Sequence, residues 1–243
     1  MELANKSIVI TGGTMGIGYE VVKRLYAANS VVVIASDADR LKRLRTEFEG
    51  VTTHQADLAD PEAVREVSAK IRDSLDDLDI LINNAAVQYT PSFLAPDFDY
   101  ESIGREIGIN FGAACCLTAR LLPLLVKGGP AAVVNVNSGL ALAPKTSSAV
   151  YCATKGAINT FSQSLRYQLA TTNVSVLQAF MPLVDTPMTH GRGRGKLSAS
   201  IAAKRLLDGV ERDIENHYIG KAKLLRLMMT FAPWFGRSIM KRS

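Results

Sequence analysis

Short apolar runs rich in β-branched residues alternate with longer amphipathic stretches along most of this chain of 243 residues. The apolar runs are SIVIT (7–11), VVVIA (31–35), VTTHQ (51–55), DILIN (79–83), AAVVNV (131–136) and VSVLQAF (174–180). Helical patterns occupy 17–28, 39–49, 61–75, 102–126 and 149–171. Strands that are apolar along almost their whole length are typical of a parallel sheet covered on both faces. The alternation therefore predicts an α/β fold, a doubly wound parallel sheet of about six to seven strands with helices on both faces.

The length fits one domain over residues 1–243, and the chain shows no internal repeat or linker. Residues 187–200, PMTHGRGRGKLSAS, are the least regular segment and predict a loop. A helix over 201–211 and a short strand near 217–219 are expected after it.

The N-terminal residues MELANKSIVITGG lack the charged leader, long apolar core and cleavage site of a secretory signal. No run approaches 18 apolar residues, so we expect no membrane-spanning helix. The three cysteines, Cys115, Cys116 and Cys152, have an odd count and no CxxC spacing, which disfavours a disulfide framework or a zinc site. We interpret them as reduced core residues of a cytoplasmic protein without a bound metal.

The net charge of +5 is concentrated at the C-terminus. Residues 216–243 contain six basic and no acidic residues, so residues 1–215 sum to −1. The basicity therefore belongs to a tail, 221–243, and does not indicate nucleic-acid binding. This tail also carries the single tryptophan, Trp234, with Phe231 and Phe235. It is interpreted as a subunit contact, a peripheral contact with a membrane surface, or a frayed end.

The segment TGGTMGIG, Thr11–Gly18, follows the first predicted strand and opens the first helix. Its glycines at 12, 16 and 18 allow a sharp turn and the close approach of a pyrophosphate, which the free N–H groups of a helix N-terminus bind. A glycine-rich loop in this position of a strand–helix–strand unit predicts a dinucleotide site.

Tyr151 and Lys155 are four residues apart in SSAVYCATKGA, so they lie on one face of a predicted helix. An ammonium group near a phenol favours the phenolate and lowers the phenol's pKa, which suits proton transfer near neutrality. Ser138 ends the preceding strand at the carboxyl edge of the sheet, where α/β sites form.

Taken in order, TGGTMGIG, the NNA of Asn83 to Ala85, Ser138 and YCATK resemble the short-chain dehydrogenase/reductase superfamily. The resemblance covers the chain from about residue 5 to about residue 190 and implies a Rossmann-like fold. It also implies hydride transfer that interconverts a ketone and a secondary alcohol. Residues 97–125 further resemble the branch that includes oxidoreductases associated with D-alanyl-lipoteichoic-acid operons.

The resemblance implies one catalytic site made of Asn110, Ser138, Tyr151 and Lys155. Tyr151 would be the acid/base, and Lys155 would lower its pKa and bind the nicotinamide ribose. Ser138 would hydrogen-bond the carbonyl oxygen. Asn110 would hold a water that links Lys155 to solvent.

The resemblance also implies a set of cofactor-binding residues: Gly12, Thr14, Met15, Gly16, Ile17, Gly18, Asp37, Asp57, Leu58, Asn83, Ala85, Tyr151, Lys155, Pro182 and Thr186. Asp57 with Leu58 would flank the adenine, and Asn83 with Ala85 would line the adenosine side. Thr186 would bond the nicotinamide carboxamide. Asn84, between the two adenosine-side residues, would tie neighbouring strands together.

Asp37 lies 19 residues past Gly18, close to the offset expected for a carboxylate that binds the ribose 2′-hydroxyl and repels a 2′-phosphate. Thr14 and Met15 in the glycine loop are not basic. Both observations favour NAD(H) over NADP(H). Three alternatives stay open: a one-residue shift places Ser36 at the selector position, Asp37 is only a helix N-cap, or Arg40 turns toward a 2′-phosphate.

Two positions depart from the family's pattern. Ala86 stands where the family usually has the glycine of NNAG, and Leu183 in PLVDT replaces the glycine of PGxxxT. Leu183 would add apolar bulk near the nicotinamide. This change affects the prediction of the substrate more than the prediction of the reaction type.

We expect loop 187–200 to cover a small-molecule carbonyl or alcohol substrate, with a lipid-like molecule and an acyl thioester as possibilities. Arg192, Arg194 and Lys196 are candidates for meeting an anionic group, and a solvated basic loop is the alternative. By position, Gln88, Tyr89, Leu140 and Leu142 would line the pocket.

Three other activities remain as alternatives. Two are enzymes: a ketoacyl-thioester reductase of a fatty-acid or polyketide-type pathway, and a hydroxysteroid-like or retinoid-like dehydrogenase. The third is a non-catalytic dinucleotide-sensing protein, which should lack the tyrosine and the lysine. We expect a homodimer or homotetramer located in the cytoplasm, with peripheral membrane contact through the tail as a possibility.

Overall fold

The computed structural model describes residues 1–89 and 92–241. Arg242 and Ser243, which the tail prediction includes, lie outside the described residues. Seven strands form one parallel sheet in the order β3-β2-β1-β4-β5-β6-β9, and β7 and β8 form a separate parallel pair. The strands are β1 Ser7–Thr11, β2 Ser30–Ala35, β3 Thr52–Gln55, β4 Ile80–Asn83, β5 Ala131–Ser138, β6 Val174–Met181, β7 Val184–Asp185, β8 Leu197–Ser198 and β9 Asn216–Tyr218.

Nine helices connect and follow these strands in the described part of the chain. They are α1 Gly16–Leu25, α2 Ala38–Glu47, α3 Pro61–Ser74, α4 Glu101–Ile107, α5 Ala113–Lys127, α6 Ala149–Gln168, α7 Ala199–Glu211, α8 Lys221–Phe231 and α9 Pro233–Lys241. Short 3₁₀ turns occupy Tyr26–Ala28, Gly139–Ala141 and Pro187–Thr189. The predicted single-domain doubly wound fold is confirmed.

The helices begin where the sequence provides caps. The Asp37 carboxylate accepts the Arg40 N–H at 2.9 Å at the start of α2. At α3, Asp60 accepts the Glu62 N–H at 2.9 Å, and Pro61 occupies the first turn, where its missing N–H costs nothing. These caps place the helix boundaries within one or two residues of the predicted ones.

The sheet separates two apolar layers because successive side chains of a strand point to opposite faces. On β1, Ile8 and Ile10 belong to the layer beneath α1, α2 and α7, whereas Val9 belongs to the layer beneath α3, α5 and α6. All three side chains have at most 1% of their surface exposed. Both faces are thus covered, as the continuous apolar strands predict.

One predicted helix is wrong in detail. The pattern 102–126 predicts a single helix, but a π-helical turn, Gly108–Gly112, separates α4 from α5. Such a turn contains an extra residue relative to the α-helix, and it is frequent at functional sites. It contains Asn110, one of the predicted catalytic residues.

Residues Glu101–Lys127 are long and apolar enough to cross a membrane by length and composition, and an 18-residue stretch within them has a mean hydropathy of 1.7. Half of that stretch is buried inside the protein, where Leu117, Leu121 and Leu125 have no exposed surface. These leucines pack in the apolar layer under the sheet, so the segment has the position of a core helix.

The tail folds instead of fraying. Residues 221–241 form α8 and α9, which contact each other at Gly236, where a Cβ would come within 2.9 Å of the Met229 sulfur. Ala222 and Leu225 are buried against the 3₁₀ turn at Gly139, directly after β5. The frayed-end interpretation is therefore wrong for the described part of the tail.

Candidate functional site

The glycine loop between β1 and α1 has the backbone that the sequence predicts. Gly12 has φ +69° and Gly16 has φ +56°, a left-handed conformation that favours glycine. A Cβ at Gly18 would overlap the Gly12 carbonyl oxygen. The first turn of α1 has no acidic residue and no side-chain cap, so its N–H groups and positive dipole end are available to an anion. The loop therefore fits a pyrophosphate.

The other predicted cofactor-binding residues of this loop lie beside its glycines. Thr14 and Met15 lie in the loop itself, and Ile17 lies in the first turn of α1. The order of the sheet reverses next to this loop, because β1 pairs with β2 on one side and with β4 on the other. In open α/β sheets, ligands bind in the crevice at such a reversal.

Asn84 joins the ends of β1 and β4. Its amide Nδ2 donates to the carbonyl oxygens of Thr11 and Gly12 at 3.0 and 3.1 Å. The Thr11 hydroxyl accepts the N–H groups of Asn84 and Ala85, both at 3.0 Å. Ala85 is thereby held beside Gly12, whose Cβ would lie 2.9 Å from the Ala85 Cα.

The structure places the Asn83 amide inside the protein. Its Nδ2 donates to Asn135 Oδ1 at 2.9 Å and to the Thr118 hydroxyl at 3.3 Å. The Asn83 side chain therefore links β4 to β5 and α5, and only its backbone remains for the adenosine side. Its Oδ1 is buried and has no partner within the described residues.

The Asp37 carboxylate at the start of α2 is already engaged. Besides capping α2, its Oδ2 lies 3.2 Å from Arg40 Nε. The same guanidinium lies 3.5 Å from the Met15 sulfur, over the glycine loop. The Arg40 cation therefore lies between the end of β2 and the glycine loop, and Asp37 has the N-cap role that the sequence leaves open as an alternative.

Asp57, predicted to flank the adenine, is also paired. Arg105 of α4 donates to its two oxygens at 2.9 and 3.3 Å, and the Ala59 N–H donates at 3.0 Å. The Ala59 N–H and the Arg105 side chain lower the pKa of Asp57. Leu58 beside it is buried in the layer of α3 and α5.

The four predicted catalytic residues come from three segments. Ser138 ends β5, Asn110 lies in the π-helical turn, and Tyr151 and Lys155 lie in the first two turns of α6. The Lys155 ammonium lies 5.7 Å from the centre of the Tyr151 ring and donates to the Val136 carbonyl at 2.8 Å. Tyr151 and Lys155 are 9% and 4% exposed, so both polar groups are largely removed from water.

Burial dominates the protonation of this pair. It raises the pKa of Tyr151 to about 12, against the lowering effects of the Ser138 hydrogen bond and the Arg192 charge. Burial also lowers the pKa of Lys155 to about 8. The sequence predicts that Lys155 lowers the tyrosine pKa, whereas in this structure the phenol stays protonated well above neutrality.

The Asn110 side chain is committed to backbone groups. Its Oδ1 accepts the Val87 N–H at 2.8 Å, and its Nδ2 donates to the Val87 carbonyl at 2.9 Å and to Thr154 at 3.3 Å. Asn110 therefore fastens the segment after β4 to α6. An internal cavity of about 10 Å³ is lined by Asn83, Asn110, Asn135 and Lys155 among others, which is about the room one water needs.

Sequence reasoning missed Glu106 of α4. It is 2% exposed, and its carboxylate accepts the Tyr89 N–H at 3.3 Å. Burial raises the pKa of Glu106 to about 7, and its charge raises the pKa of Tyr151 and Cys152. The available signal was its spacing, because Glu106 lies one helical turn before Asn110, a predicted catalytic residue.

Loop 187–200, which the sequence predicts to cover the substrate, is fastened near both ends. Thr186 lies against Gly16, whose Cβ would come within 3.0 Å of the Thr186 methyl group. Lys196 donates to the Thr189 carbonyl at 2.7 Å and pairs with Asp185 at 3.3 Å, so it is used within the loop. Leu183, which follows Pro182, contacts Gly193.

The predicted pocket residues lie on the loop after β4 and in and after the turn that follows β5. Gln88 Nε2 donates to the Ser148 hydroxyl at 3.0 Å, just before α6, and the Tyr89 N–H is bound by Glu106. Leu140 and Leu142 are half-buried in and after the turn that follows Ser138.

The cysteines are free thiols, as expected. Only Cys152, next to Tyr151, is buried; Cys115 is half-buried and Cys116 is exposed, so the expectation of three core residues is wrong for these two. Within residues 1–89 and 92–241, no cluster of three or more His, Cys, Asp or Glu side chains is suited to a metal ion.

Comparison with known proteins agrees with this arrangement. The family model for short chain dehydrogenase matches residues 6–196. The uncharacterized oxidoreductase DltE of Bacillus subtilis (strain 168) is 38% identical over 194 residues, which is 78% of this chain and 76% of that protein. The fatty acyl-CoA reductase of Acinetobacter baylyi is 31% identical over 193 residues, which is 77% of this chain and 65% of that protein.

A solved structure is also similar over most of the chain. A short chain dehydrogenase from Burkholderia cenocepacia J2315 in complex with NADP superposes with a TM-score of 0.82 at 26% sequence identity. The match covers 92% of this chain and all of that one. The predicted superfamily and the DltE-containing branch are thus confirmed. The chain belongs to the short chain dehydrogenase family, and it is an NAD(P)-dependent oxidoreductase that acts on CH–OH groups.

Proposed function

We propose that the protein reduces a ketone to a secondary alcohol and that Tyr151 supplies the proton. The observation that carries this proposal is the buried Tyr151–Lys155 pair beside Ser138, at the carboxyl edge of a sheet whose first loop fits a pyrophosphate. A non-catalytic sensor has no need of these side chains. We therefore set that alternative aside.

The nicotinamide, when bound, supplies the hydride to the carbonyl carbon. Because burial holds the pKa of Tyr151 near 12, the phenol is protonated at neutral pH and is a proton donor to the carbonyl oxygen. The Ser138 hydroxyl, at the end of β5, lowers the pKa of the phenol and would orient the same oxygen. A phenol with this pKa is a poor base, which favours reduction over oxidation.

Lys155 has two further tasks in this proposal. Its ammonium binds the nicotinamide ribose, and it returns a proton to Tyr151 after each turnover. The cavity that Lys155 shares with Asn110 and Asn83 gives the relay a place for one water. Because the Asn110 amide is held by Val87, Asn110 shapes this cavity, and its side chain is a poor candidate for binding the water directly.

We infer that NADP(H) is the preferred cofactor, which reverses the expectation from the sequence. That expectation depended on a free Asp37 carboxylate, but Asp37 caps α2 and pairs with Arg40. The guanidinium stands beside Met15, within reach of a 2′-phosphate above the glycine loop. The similar Burkholderia structure, solved with NADP, supports the same choice.

For the substrate, we propose an apolar ketone or an acyl thioester. Leu140, Leu142 and Leu183 give the rim apolar surface, and Arg192 is a nearby cation that lowers the pKa of Tyr151. A ketoacyl-thioester reductase is the second candidate, since a cation at this rim suits a phosphate of the thioester carrier. The similarity to a fatty acyl-CoA reductase supports an acyl substrate. We also propose a homodimer or homotetramer, the assembly usual in the family.

The decisive experiment follows NADPH and NADH oxidation against a panel of ketones and ketoacyl thioesters. In Tyr151→Phe, we expect kcat to fall by about 10²–10⁴, because the variant loses the proton donor, and cofactor affinity to change far less. Tyr167→Phe, on the exposed side of α6, is the matched control. Undiminished turnover by Tyr151→Phe would exclude the proposed proton donor.

A further inference from the structure

The two C-terminal helices form a hairpin whose outer surface is apolar and positively charged. We call α8 and α9, residues 221–241, the tail hairpin. Six large apolar side chains project from it with at least 41% of their surface exposed: Leu224, Leu227, Phe231, Trp234, Phe235 and Ile239. Phe231 and Trp234 are 83% and 75% exposed. Apolar side chains of this size, gathered in one short segment, mark an interaction surface.

The exposed side chains share faces of their helices. Leu224, Leu227 and Phe231 of α8 follow the i, i+3, i+7 spacing of one helix face, and Phe235 and Ile239 of α9 are one turn apart. The opposite side of the hairpin is already used, because Ala222 and Leu225 pack on the turn at Gly139. The apolar face is therefore not required for holding the hairpin to the domain.

The charge of the hairpin has one sign. Its described cations are Lys221, Lys223, Arg226, Arg237 and Lys241, all exposed. No acidic residue occurs from 216 to 243, and no described ion pair includes any of these cations. Basic side chains flanking an apolar aromatic face are the pattern of a helix that lies in the interface of an anionic membrane.

We propose that the tail hairpin docks this enzyme on the anionic phospholipid surface of a membrane. A two-fold contact between two copies of the hairpin is disfavoured, because it would bring the cations of both copies together without a carboxylate in either hairpin. An anionic lipid surface suits both the positive charge and the exposed apolar face of the tail hairpin. Its phosphates pair with the cations, and its acyl boundary receives Phe231 and Trp234.

The hairpin lies at the rim of the catalytic site. Leu225 contacts the turn directly after Ser138, and the Thr146 hydroxyl donates to the Lys241 carbonyl at 2.6 Å, on the loop before α6. Lys221 Nζ lies 3.1 Å from the position of a Cβ on Gly195 in loop 187–200. A docked hairpin would therefore hold both loops of the site close to the membrane surface.

Trp234 makes the proposal directly testable, because it is the single tryptophan of the chain. Its emission is recorded while full-length protein is titrated with vesicles of phosphatidylcholine and phosphatidylglycerol, or of phosphatidylcholine alone. We expect a blue shift and protection from acrylamide with the anionic vesicles, weakened by salt, and little change with the neutral ones. No shift with anionic vesicles, or an equal shift with both, overturns the proposal.

Two double variants test the contributions of charge and of apolar contact to membrane binding, which vesicle co-sedimentation measures. Lys223→Glu with Arg237→Glu should lower the affinity for anionic vesicles by about tenfold or more, since each basic residue near such a surface contributes to binding. Lys42→Glu with Arg43→Glu on α2 reverses as much charge elsewhere and is the control. Phe231→Ser with Leu227→Ser should also release the protein, whereas Tyr167→Ser on α6 should not.

Fold and assembly are checked in the same variants by thermal melting and sedimentation equilibrium. The proposal expects unchanged melting and unchanged subunit number. Binding that survives both hairpin variants overturns it. Loss of the native subunit number in these variants also overturns it, in favour of a subunit contact. Because the readouts are binding and mass, failure of the proposed ketone reduction leaves this test intact.

Discussion

At the scale of single residues, burial determines which charged groups are available for chemistry. Tyr151 and Lys155 lie close enough for the ammonium to act on the phenol, yet burial moves the pKa of the phenol up and that of the lysine down. Burial also raises the pKa of Glu106, whose carboxyl group lies under the loop after β4. Near neutral pH, the Tyr151 phenol and the Lys155 amine therefore both carry their protons.

Glu106→Gln should make the stability of the protein less sensitive to pH. Burial raises the pKa of Glu106 from 4.5 to about 7, so the folded chain retains a proton that the unfolded chain releases between these values. The stability that the protonated carboxyl contributes is fully present below pH 4.5 and is lost as pH rises to about 7. Above pH 7, the variant should exceed wild type by on the order of 3 kcal/mol.

The measurement is urea unfolding of both proteins over this pH range. The glutamine side chain of the variant would keep a carbonyl acceptor for the Tyr89 N–H, so the hydrogen bond survives the change. Glu101→Gln, exposed on the same helix, is the control and should show no such trend. A stability difference that stays constant with pH would contradict the assignment.

Arg40→Ala should discriminate between the two nicotinamide cofactors. A charge-assisted hydrogen bond contributes about 1.5–3 kcal/mol, so the Kd of NADPH should rise about tenfold to a hundredfold. The affinity for NADH should change little, because it has no 2′-phosphate. Fluorescence titration with both cofactors is the test, with Arg43→Ala on the same helix as control. Equal losses for NADH and NADPH would argue against a phosphate contact.

At the scale of elements, two local backbone features position the site. The glycine loop opens α1 without a side-chain cap, which leaves N–H groups for an anion. The π-helical turn between α4 and α5 carries Asn110, which holds the segment after β4 against α6. In both features a glycine lets two backbone segments that are far apart in sequence approach closely. Gly12 lies beside Ala85, and Gly108 of the π-helical turn lies beside Ala59.

Gly18→Ala should disturb the first of these features. The added methyl group would overlap the Gly12 carbonyl oxygen and the Asn84 amide, so the loop and the β1–β4 clamp must move. We expect a loss of about 1–3 kcal/mol in the free energy of unfolding and weaker binding of NADPH. Thermal melting and cofactor titration measure both effects.

Gly104→Ala is the matched control, because no atom beyond the adjoining residues and backbone of α4 lies within 4 Å of its Cβ position. Removing a glycine from a helix interior should there stabilise the protein by about 0.5–1 kcal/mol. If both variants behaved alike, steric overlap at Gly18 would not be the cause.

At the scale of the whole molecule, the sheet divides the apolar interior into two layers that share only the strands. Leu25 of α1 lies in one layer and Leu121 of α5 in the other, at 3% and 0% exposure. Cavities made on opposite faces do not share neighbouring side chains. Their energetic effects should therefore be independent.

Leu25→Ala and Leu121→Ala should each destabilise the protein by about 2–5 kcal/mol. The double variant should lose the sum of the two, within about 0.5 kcal/mol, because the sites have no common partners. Denaturant unfolding of the three variants measures this. A coupling well above that margin would show that strain crosses the sheet.

The amino-acid sequence by itself determined the doubly wound sheet, the dinucleotide loop and the spacing of Tyr151 and Lys155. Each of these is written in local patterns: strand and helix periodicity, glycines where the backbone turns sharply, and an i, i+4 pair on one helix. Helix caps such as Asp37 and Asp60 are local in the same sense, which is why the boundaries of α2 and α3 were predicted to within two residues.

Only the tertiary structure decided how these parts are used. It paired Asp57 with Arg105, bound the Asn110 amide to Val87, buried Glu106 and folded the tail into a hairpin beside the site. These outcomes depend on which distant segments meet and on how much water they exclude, because burial sets the energy of every charge. A pattern read along one chain contains neither quantity, so the reaction type could be predicted and the protonation of its residues could not.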